Sequence, residues 1–244
     1  AFPGDARYDA AAFVIGNTAY VGSGITGSKK YSKDFYKFDA TTKTWSPIAP
    51  LPTTEDGIYG AVAFSVNGKG YVGCGYSEEN DWLKDFYEYN PSSDTWTKLT
   101  NFPGSKRVYG FSFVIGDKAY VGGGTNNNSY PDDFYSFDGT KWEKLQNINR
   151  NDASYAYNLT RKNPTTLVLK GQGYVVGGST SSYLNTVWEY NPASDVWNDD
   201  NQVFQGTARD GAVGFSINDI GYITTGRFGS SGRLDDTWKF VPVK

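Results

Sequence analysis

The 244-residue chain contains no histidine and a single cysteine, Cys74. The missing imidazole removes the commonest general base, the usual zinc and copper ligand, and the central member of Ser/His/Asp and Cys/His arrangements. Any catalysis would therefore run on carboxylates, Arg, Lys or Tyr. One cysteine allows no intrachain disulfide. Held between Gly73 and Gly75 in an apolar stretch with no basic neighbour, Cys74 reads as a small buried residue and not as a reactive thiol. No run is long or apolar enough to cross a membrane, and no signal peptide is recognisable. Charge of either sign is not blocked: 23 basic and 26 acidic residues are interspersed, with a net charge of −3. Neither nucleic acid nor membrane insertion is expected.

What the chain does have is glycine and aromatic rings. With 38% hydrophobic and 17% aromatic residues, 29 Gly and 10 Pro, it has the profile of a turn-rich β protein whose core is filled by large rings. The stretch from Gly60 to Leu99 is the clearest copy of an internal repeat. An alternating run (Ala61 to Val66), an Asn67-Gly68 turn and a second run ending in Tyr71-Val72-Gly73-Cys74-Gly75 come first. A polar loop, the run Asp85-Phe86-Tyr87-Glu88-Tyr89, an Asn90-Pro91 turn and Thr95-Trp96-Thr97 follow. This pattern predicts four short antiparallel strands.

Five copies align on Tyr20, Tyr71, Tyr120, Tyr174 and Tyr222, separated by 51, 49, 54 and 48 residues. Asp34-Phe35-Tyr36, Asp85-Phe86-Tyr87 and Asp133-Phe134-Tyr135 form a second register, continued as Thr186-Val187-Trp188 and Asp236-Thr237-Trp238. Trp45, Trp96, Trp142 and Trp197 form a third. The set resembles the kelch repeat, whose hallmarks are a glycine pair closing the second strand and a Tyr and a Trp at fixed spacing beyond it. Here the pair stands as Gly22-Ser23-Gly24, Gly73-Cys74-Gly75, Gly122-Gly123-Gly124, Gly177-Gly178 and Thr224-Thr225-Gly226.

The resemblance implies an all-β fold, a single kelch-type β-propeller over residues 1–244. It has five blades of four antiparallel strands, roughly 7–52, 56–103, 107–148, 152–203 and 209–244. The chain stops at Lys244 without a fifth Trp strand, so the last blade is expected to lack or borrow its outer strand. The Tyr and Trp registers read as packing between neighbouring blades. Arg161 to Thr165 read as an insertion between the first two strands of blade four, forming an exposed cationic tip.

In propellers of this kind, ligands meet the loops joining one blade to the next and the second strand to the third. Those loops carry Arg7, Tyr59, Arg107, Tyr109, Tyr155 and Arg209 in the first set, and Trp82, Tyr130 and Arg227 in the second. Aromatic faces stack on sugar rings, amides and carboxylates bind hydroxyls, and Arg clamps a carboxylate, so these nine are the expected ligand-binding residues. The leading expectation is a non-catalytic binding module for a glycan or a protein segment, secreted or attached to the cell surface, with a cytoplasmic location left open. Two alternatives stand beside it. One is a carbohydrate-active enzyme like the kelch-type sialate mutarotases, with a carboxylate such as Glu55 or Glu79 moving a proton. The other is a structural subunit of a larger assembly. A galactose-oxidase-like copper centre is ruled out by the absence of histidine, and neither a metal nor any other cofactor is expected.

Overall fold

The structure, a computed structural model, describes residues 1–28, 30–53 and 57–242. It contains strands, turns and loops and, among these residues, no helix that could cross a membrane. Five antiparallel sheets form the blades of a β-propeller. The first runs Ala11–Ile15, Thr18–Gly22, Phe35–Asp39, Thr44–Ile48, and the second Val62–Val66, Lys69–Gly73, Phe86–Asn90, Thr95–Lys98. The third is Phe111–Ile115, Lys118–Gly122, Tyr135–Phe137, Trp142–Lys144, and the fourth Thr165–Leu169, Gln172–Val176, Val187–Asn191, Val196–Asn198. Among the described residues the fifth has three strands, Val213–Ile217, Ile220–Thr224 and Thr237–Phe240, in line with the expectation of an outer strand lacking or borrowed.

The chain divides into two compact units, Ala1–Val108 with Asp138–Trp142, and Tyr109–Phe137 with Glu143–Lys244. The core of the first unit is built from Phe13, Tyr20, Phe35, Leu51, Ile58, Val72, Tyr87 and Tyr89. Trp96, in the outer strand of blade two, stacks obliquely on Phe35 of blade one at 5.1 Å and meets Phe13 edge-on at 6.4 Å. Its indole N–H donates to the carbonyl of Ala49, also in blade one. Trp142 likewise packs on Phe86 and Phe102 of blade two at 5.1 and 5.0 Å. In the second unit Trp197 of blade four covers Phe134 of blade three at 5.4 Å. Trp96, Trp142 and Trp197 thus each pack on rings of the preceding repeat, as their spacing implied, each ring pair contributing about 0.5–1.5 kcal/mol beyond its buried area.

Two backbone devices explain other constants of the repeat. The residue after the second strand is left-handed in every blade, with φ of 55° at Ser23, 58° at Cys74, 61° at Gly123, 65° at Gly177 and 62° at Thr225. The glycine that follows is left-handed too, at 92°, 92°, 89°, 86° and 101° for Gly24, Gly75, Gly124, Gly178 and Gly226. Two successive residues in this region favour glycine at both, which is the physical content of the pair. The second device is an aspartate in the outer hairpin. Asp94 accepts from the Tyr89 hydroxyl at 2.8 Å and from the amide of Ala49 at 3.0 Å. Asp195 repeats this with Tyr190 at 2.9 Å and the amide of Gln146 at 2.8 Å. Cys74 is buried, as its neighbours suggested.

Blade four corrects one expectation. Residues Arg161 to Thr165 do not lie between its first two strands; Thr165 opens the inner strand, and the tight turn after it is Lys170-Gly171. The extra length is a separate hairpin ahead of the blade, Asn149–Asn151 paired with Ala156–Asn158. Arg161 is no exposed tip, being 2% accessible. Its carbonyl accepts from the amide of Gly124 at 2.7 Å, as that of Arg107 does from Gly75 and that of Arg209 from Gly178, both at 2.8 Å.

Candidate functional site

Four half-buried rings come together on the loops of the first unit. Tyr31 lies between the second and third strands of blade one, Tyr59 on the connection into blade two, and Tyr76 and Trp82 on the loop between the second and third strands of blade two. The left-handed Cys74-Gly75 pair turns the chain out of its strand. Tyr76 then exchanges two backbone hydrogen bonds with Tyr59, at 3.0 and 3.1 Å. A two-residue ladder pairs Tyr76 with Trp82 and Ser77 with Asp81, which stands Trp82 beside Tyr76. Ring centroids lie 4.9 Å apart for Tyr31 and Tyr59, 5.4 Å for Tyr59 and Tyr76, 6.2 Å for Tyr31 and Tyr76, and 5.5 Å for Tyr76 and Trp82. The result is a continuous aromatic shelf whose backbone is fixed by ladder bonds.

Polar groups border it. The Tyr76 hydroxyl donates to Asp81 at 3.0 Å, Glu78, Glu79 and Asn80 are exposed at the tip of the same hairpin, and the amide of Asn80 donates to the Ser77 hydroxyl. Burial first, then the neighbouring rings and Asp9, pushes the Tyr59 phenol up to about 12. Burial raises Tyr31, and the bond to Asp81 raises Tyr76. The three phenols therefore stay neutral at physiological pH, offering flat apolar faces and hydroxyl edges.

The arginines expected to face a ligand are placed differently. The Arg7 side chain is 5% exposed and is clamped by Asp34, donating also to the carbonyls of Asp5 and Ser23, with its guanidinium 5.1 Å from the Phe2 ring. Arg107 is fully buried, 4.8 Å from the Phe102 ring, and donates to the carbonyl of Ser105. Arg209 is 2% exposed, stacked on Phe204 and held by Asp236, whereas Asp210 holds Arg227 at 2.6 Å and accepts from Ser179 at 2.7 Å. The reason is hydrogen bonding: each such Arg sits four residues ahead of an inner strand, where its carbonyl or side chain is bonded into the blade framework. Arg7, Arg107 and Arg209 thus serve the framework and do not present a clamp to solvent.

Tyr59 and Trp82 are brought together, and Tyr31 and Tyr76 complete the group. Tyr76 was missed by sequence reasoning; its signal is an aromatic residue placed directly after the glycine pair. In the second unit Tyr109 is half-buried with a left-handed backbone and accepts from the amide of Asn163. Tyr130 follows the Asn126–Ser129 turn and is half-buried. Tyr155 is 40% exposed under the guanidinium of Arg150, which pairs with Asp152. Arg227 adjoins Phe228, which packs on Tyr183 at 5.3 Å. Lys29, Glu55 and Asp56 lie outside the described residues. Among the described residues no three His, Cys, Asp or Glu side chains converge as metal ligands.

Comparison with known proteins gives the chain its relatives. It is 33% identical over 176 residues to the N-acetylneuraminate epimerase of Pasteurella multocida, an alignment covering 66% of this chain and 45% of that protein. Against the N-acetylneuraminate epimerase of Haemophilus influenzae it is 38% identical over 117 residues, covering 46% and 30% respectively. The chain thus spans less than half the length of these relatives. The solved structure titled "Structure of YjhT" shares the fold with a TM-score of 0.68 at 16% identity, over 98% of this chain and 96% of that one. The KLHDC2/KLHL20/DRC7 Kelch-repeats domain matches residues 3–158, and the Kelch motif matches residues 160–199. With repeat, fold and family description in agreement, the chain belongs to the kelch-repeat family.

Proposed function

We propose that this kelch propeller is a binding module that recognises a glycan on the shelf formed by Tyr31, Tyr59, Tyr76 and Trp82. The observation that carries this reading is the contiguity of four half-buried rings, 4.9 to 6.2 Å apart, on loops whose backbones are tied together. Rings on a fixed backbone lose little freedom when a pyranose settles on them, and the Asp81, Glu78 and Asn80 side chains border the shelf with acceptors for its hydroxyls. A glycan array, followed by calorimetry on each hit with the Trp82→Ala variant, tests it. Loss of this large ring at the end of the shelf should cost on the order of 2 kcal/mol, roughly thirtyfold in affinity. Hits that bind Trp82→Ala unchanged would remove the shelf as the site.

A second reading is favoured by the name that the two relatives carry. It makes N-acetylneuraminate a substrate at this face, with Glu79, exposed at the tip of the hairpin that holds Tyr76 and Trp82, as the carboxylate available to move a proton. NMR of the anomers of N-acetylneuraminate separates the two readings: binding without faster interconversion supports the module, and faster interconversion the enzyme.

A further inference from the structure

Blades one and five share an internal device that blade four leaves incomplete. In blade five, Arg209 donates through Nε to the carbonyl two residues before it, Thr207, at 2.9 Å, and through Nη1 to the carbonyl sixteen residues after it, Thr225, at 2.9 Å. Both Nη atoms then grip the Asp236 carboxylate at 2.5 and 2.8 Å, and the Trp238 indole N–H donates to the same carboxylate at 2.7 Å. Blade one repeats every part. Arg7 donates to Asp5 and Ser23 and grips Asp34, and the Tyr36 hydroxyl is the third donor to that carboxylate at 3.2 Å.

In blade four, Arg161 makes the same two backbone bonds, to the carbonyl of Leu159 at 3.0 Å and that of Gly177 at 2.8 Å. The carboxylate is missing. Thr186 stands in its place, accepting from Nη1 at 2.9 Å, and among the described residues Nη2 has no acceptor. Trp188, in the position of Trp238 and Tyr36, has a buried indole N–H with no hydrogen-bond partner. A cleft of about 240 Å³ opens at this point, bordered by Asn158, Thr160, Arg161, Thr180, Leu184, Thr186 and Trp188.

We propose that this cleft is a binding subsite for the carboxylate of a small ligand, which takes the place that Asp34 and Asp236 fill within the chain. The donors are those that hold the internal carboxylates: one guanidinium edge, one indole N–H and the hydroxyl of Thr186. Arg161 at 2% and Trp188 at 8% exposure are both buried residues, and the Trp188 indole N–H, buried without an acceptor, is costly to leave so. Burial lowers the Arg161 guanidinium to about 10, which keeps it a cation at neutral pH while leaving it without a counter-charge. The Asn158, Thr160 and Thr180 side chains around it offer partners for the hydroxyls of a sugar acid, and Leu184 and the Trp188 ring an apolar wall. The subsite lies wholly within the second unit and does not depend on the aromatic shelf of the first.

The test follows the Trp188 indole resonance in ¹H–¹⁵N spectra, assigned by its loss in Trp188→Phe, while sodium glucuronate, sodium acetate, sodium chloride and glucose are added in turn at constant ionic strength. A saturable shift with glucuronate alone identifies a sugar acid as the ligand class. A shift with acetate as well identifies the carboxylate itself. Either supports the subsite. In Thr186→Asp the chain supplies its own carboxylate, so the apo protein should melt at higher temperature and glucuronate should bind at least about tenfold more weakly. Trp188→Phe keeps the ring bulk and removes the donor, and should weaken glucuronate binding, read by calorimetry, by about tenfold. Trp82→Ala should bind glucuronate at this resonance as the parent does. No shift with either acid, an equal shift with chloride or glucose, or unweakened binding in both Thr186→Asp and Trp188→Phe would overturn the proposal.

Discussion

Replacing Asp236 by Asn removes the charge on which Arg209 is clamped and keeps the shape of the side chain. The pair is lopsided, since the Arg209 side chain is 2% exposed and that of Asp236 38%. Bonds from Arg209, and after them the one from Trp238, lower the Asp236 carboxyl from 3.8 to about 2. At face value that displacement is worth about 2.4 kcal/mol, and with more than a third of the carboxylate side chain in water screening reduces it to about 1. Breaking a fully buried pair costs about 3–5 kcal/mol and breaking an exposed one about 0–1, so Asp236→Asn should lose about 1–2 kcal/mol near neutral pH. The sign of the pH dependence is fixed by the folded state's preference for the carboxylate. The contribution is complete above the unfolded value of about 4 and disappears as pH falls through about 2. Urea unfolding of parent and variant between pH 6 and pH 2 is the assay: a gap near neutrality that closes toward pH 2 is expected. No gap at pH 6, or one that persists unchanged to pH 2, would refute the argument that Arg209 is a framework residue held by this charge.

The blade junctions predict more. A Cβ built on Gly70 would stand 2.1 Å from the Phe13 ring, so Gly70→Ala should lower stability by about 1–3 kcal/mol in urea titrations. Thr225 is exposed and β-branched at a φ of 62°, where blades three and four place Gly123 and Gly177. Thr225→Gly should therefore raise stability by about 0.5–1 kcal/mol, the relief of strain outweighing the entropy that glycine adds to the unfolded chain. Trp82→Ala, part-exposed on a loop, should leave the melting temperature within a degree or two while weakening glycan binding roughly thirtyfold.

Most of the scaffold was legible because it is periodic. Tyr, Gly pair and Trp recur because every blade meets its neighbour by the same contacts, so the contacts of Trp96, Trp142 and Trp197, and the three-stranded fifth sheet, follow from spacing alone. The loops were less legible, since a loop arginine can point into a blade junction or into water and composition does not say which. A signal was nonetheless present: Arg7, Arg107, Arg161 and Arg209 each stand four residues before an inner strand, and Asp34 and Asp236 each lie 27 residues after their arginine. Reading that register would have identified the arginines as framework. It would also have placed the blade-four insertion ahead of Arg161, and shown that Thr186 breaks the pattern. The shelf was half legible: Tyr59 and Trp82 stood out as loop aromatics, but their meeting with Tyr31 and Tyr76 depends on backbone bonds between distant loops.

The central claim, that a sugar ring settles on this shelf, is tested most directly by following the Trp82 indole resonance while a glycan identified on the array is titrated into the protein. A saturable shift at Trp82, with transfer of magnetisation from the rings of Tyr31, Tyr59 or Tyr76 to protons on one face of the sugar, is the result expected. A glycan that binds with Trp82 and the three tyrosines unperturbed would contradict it.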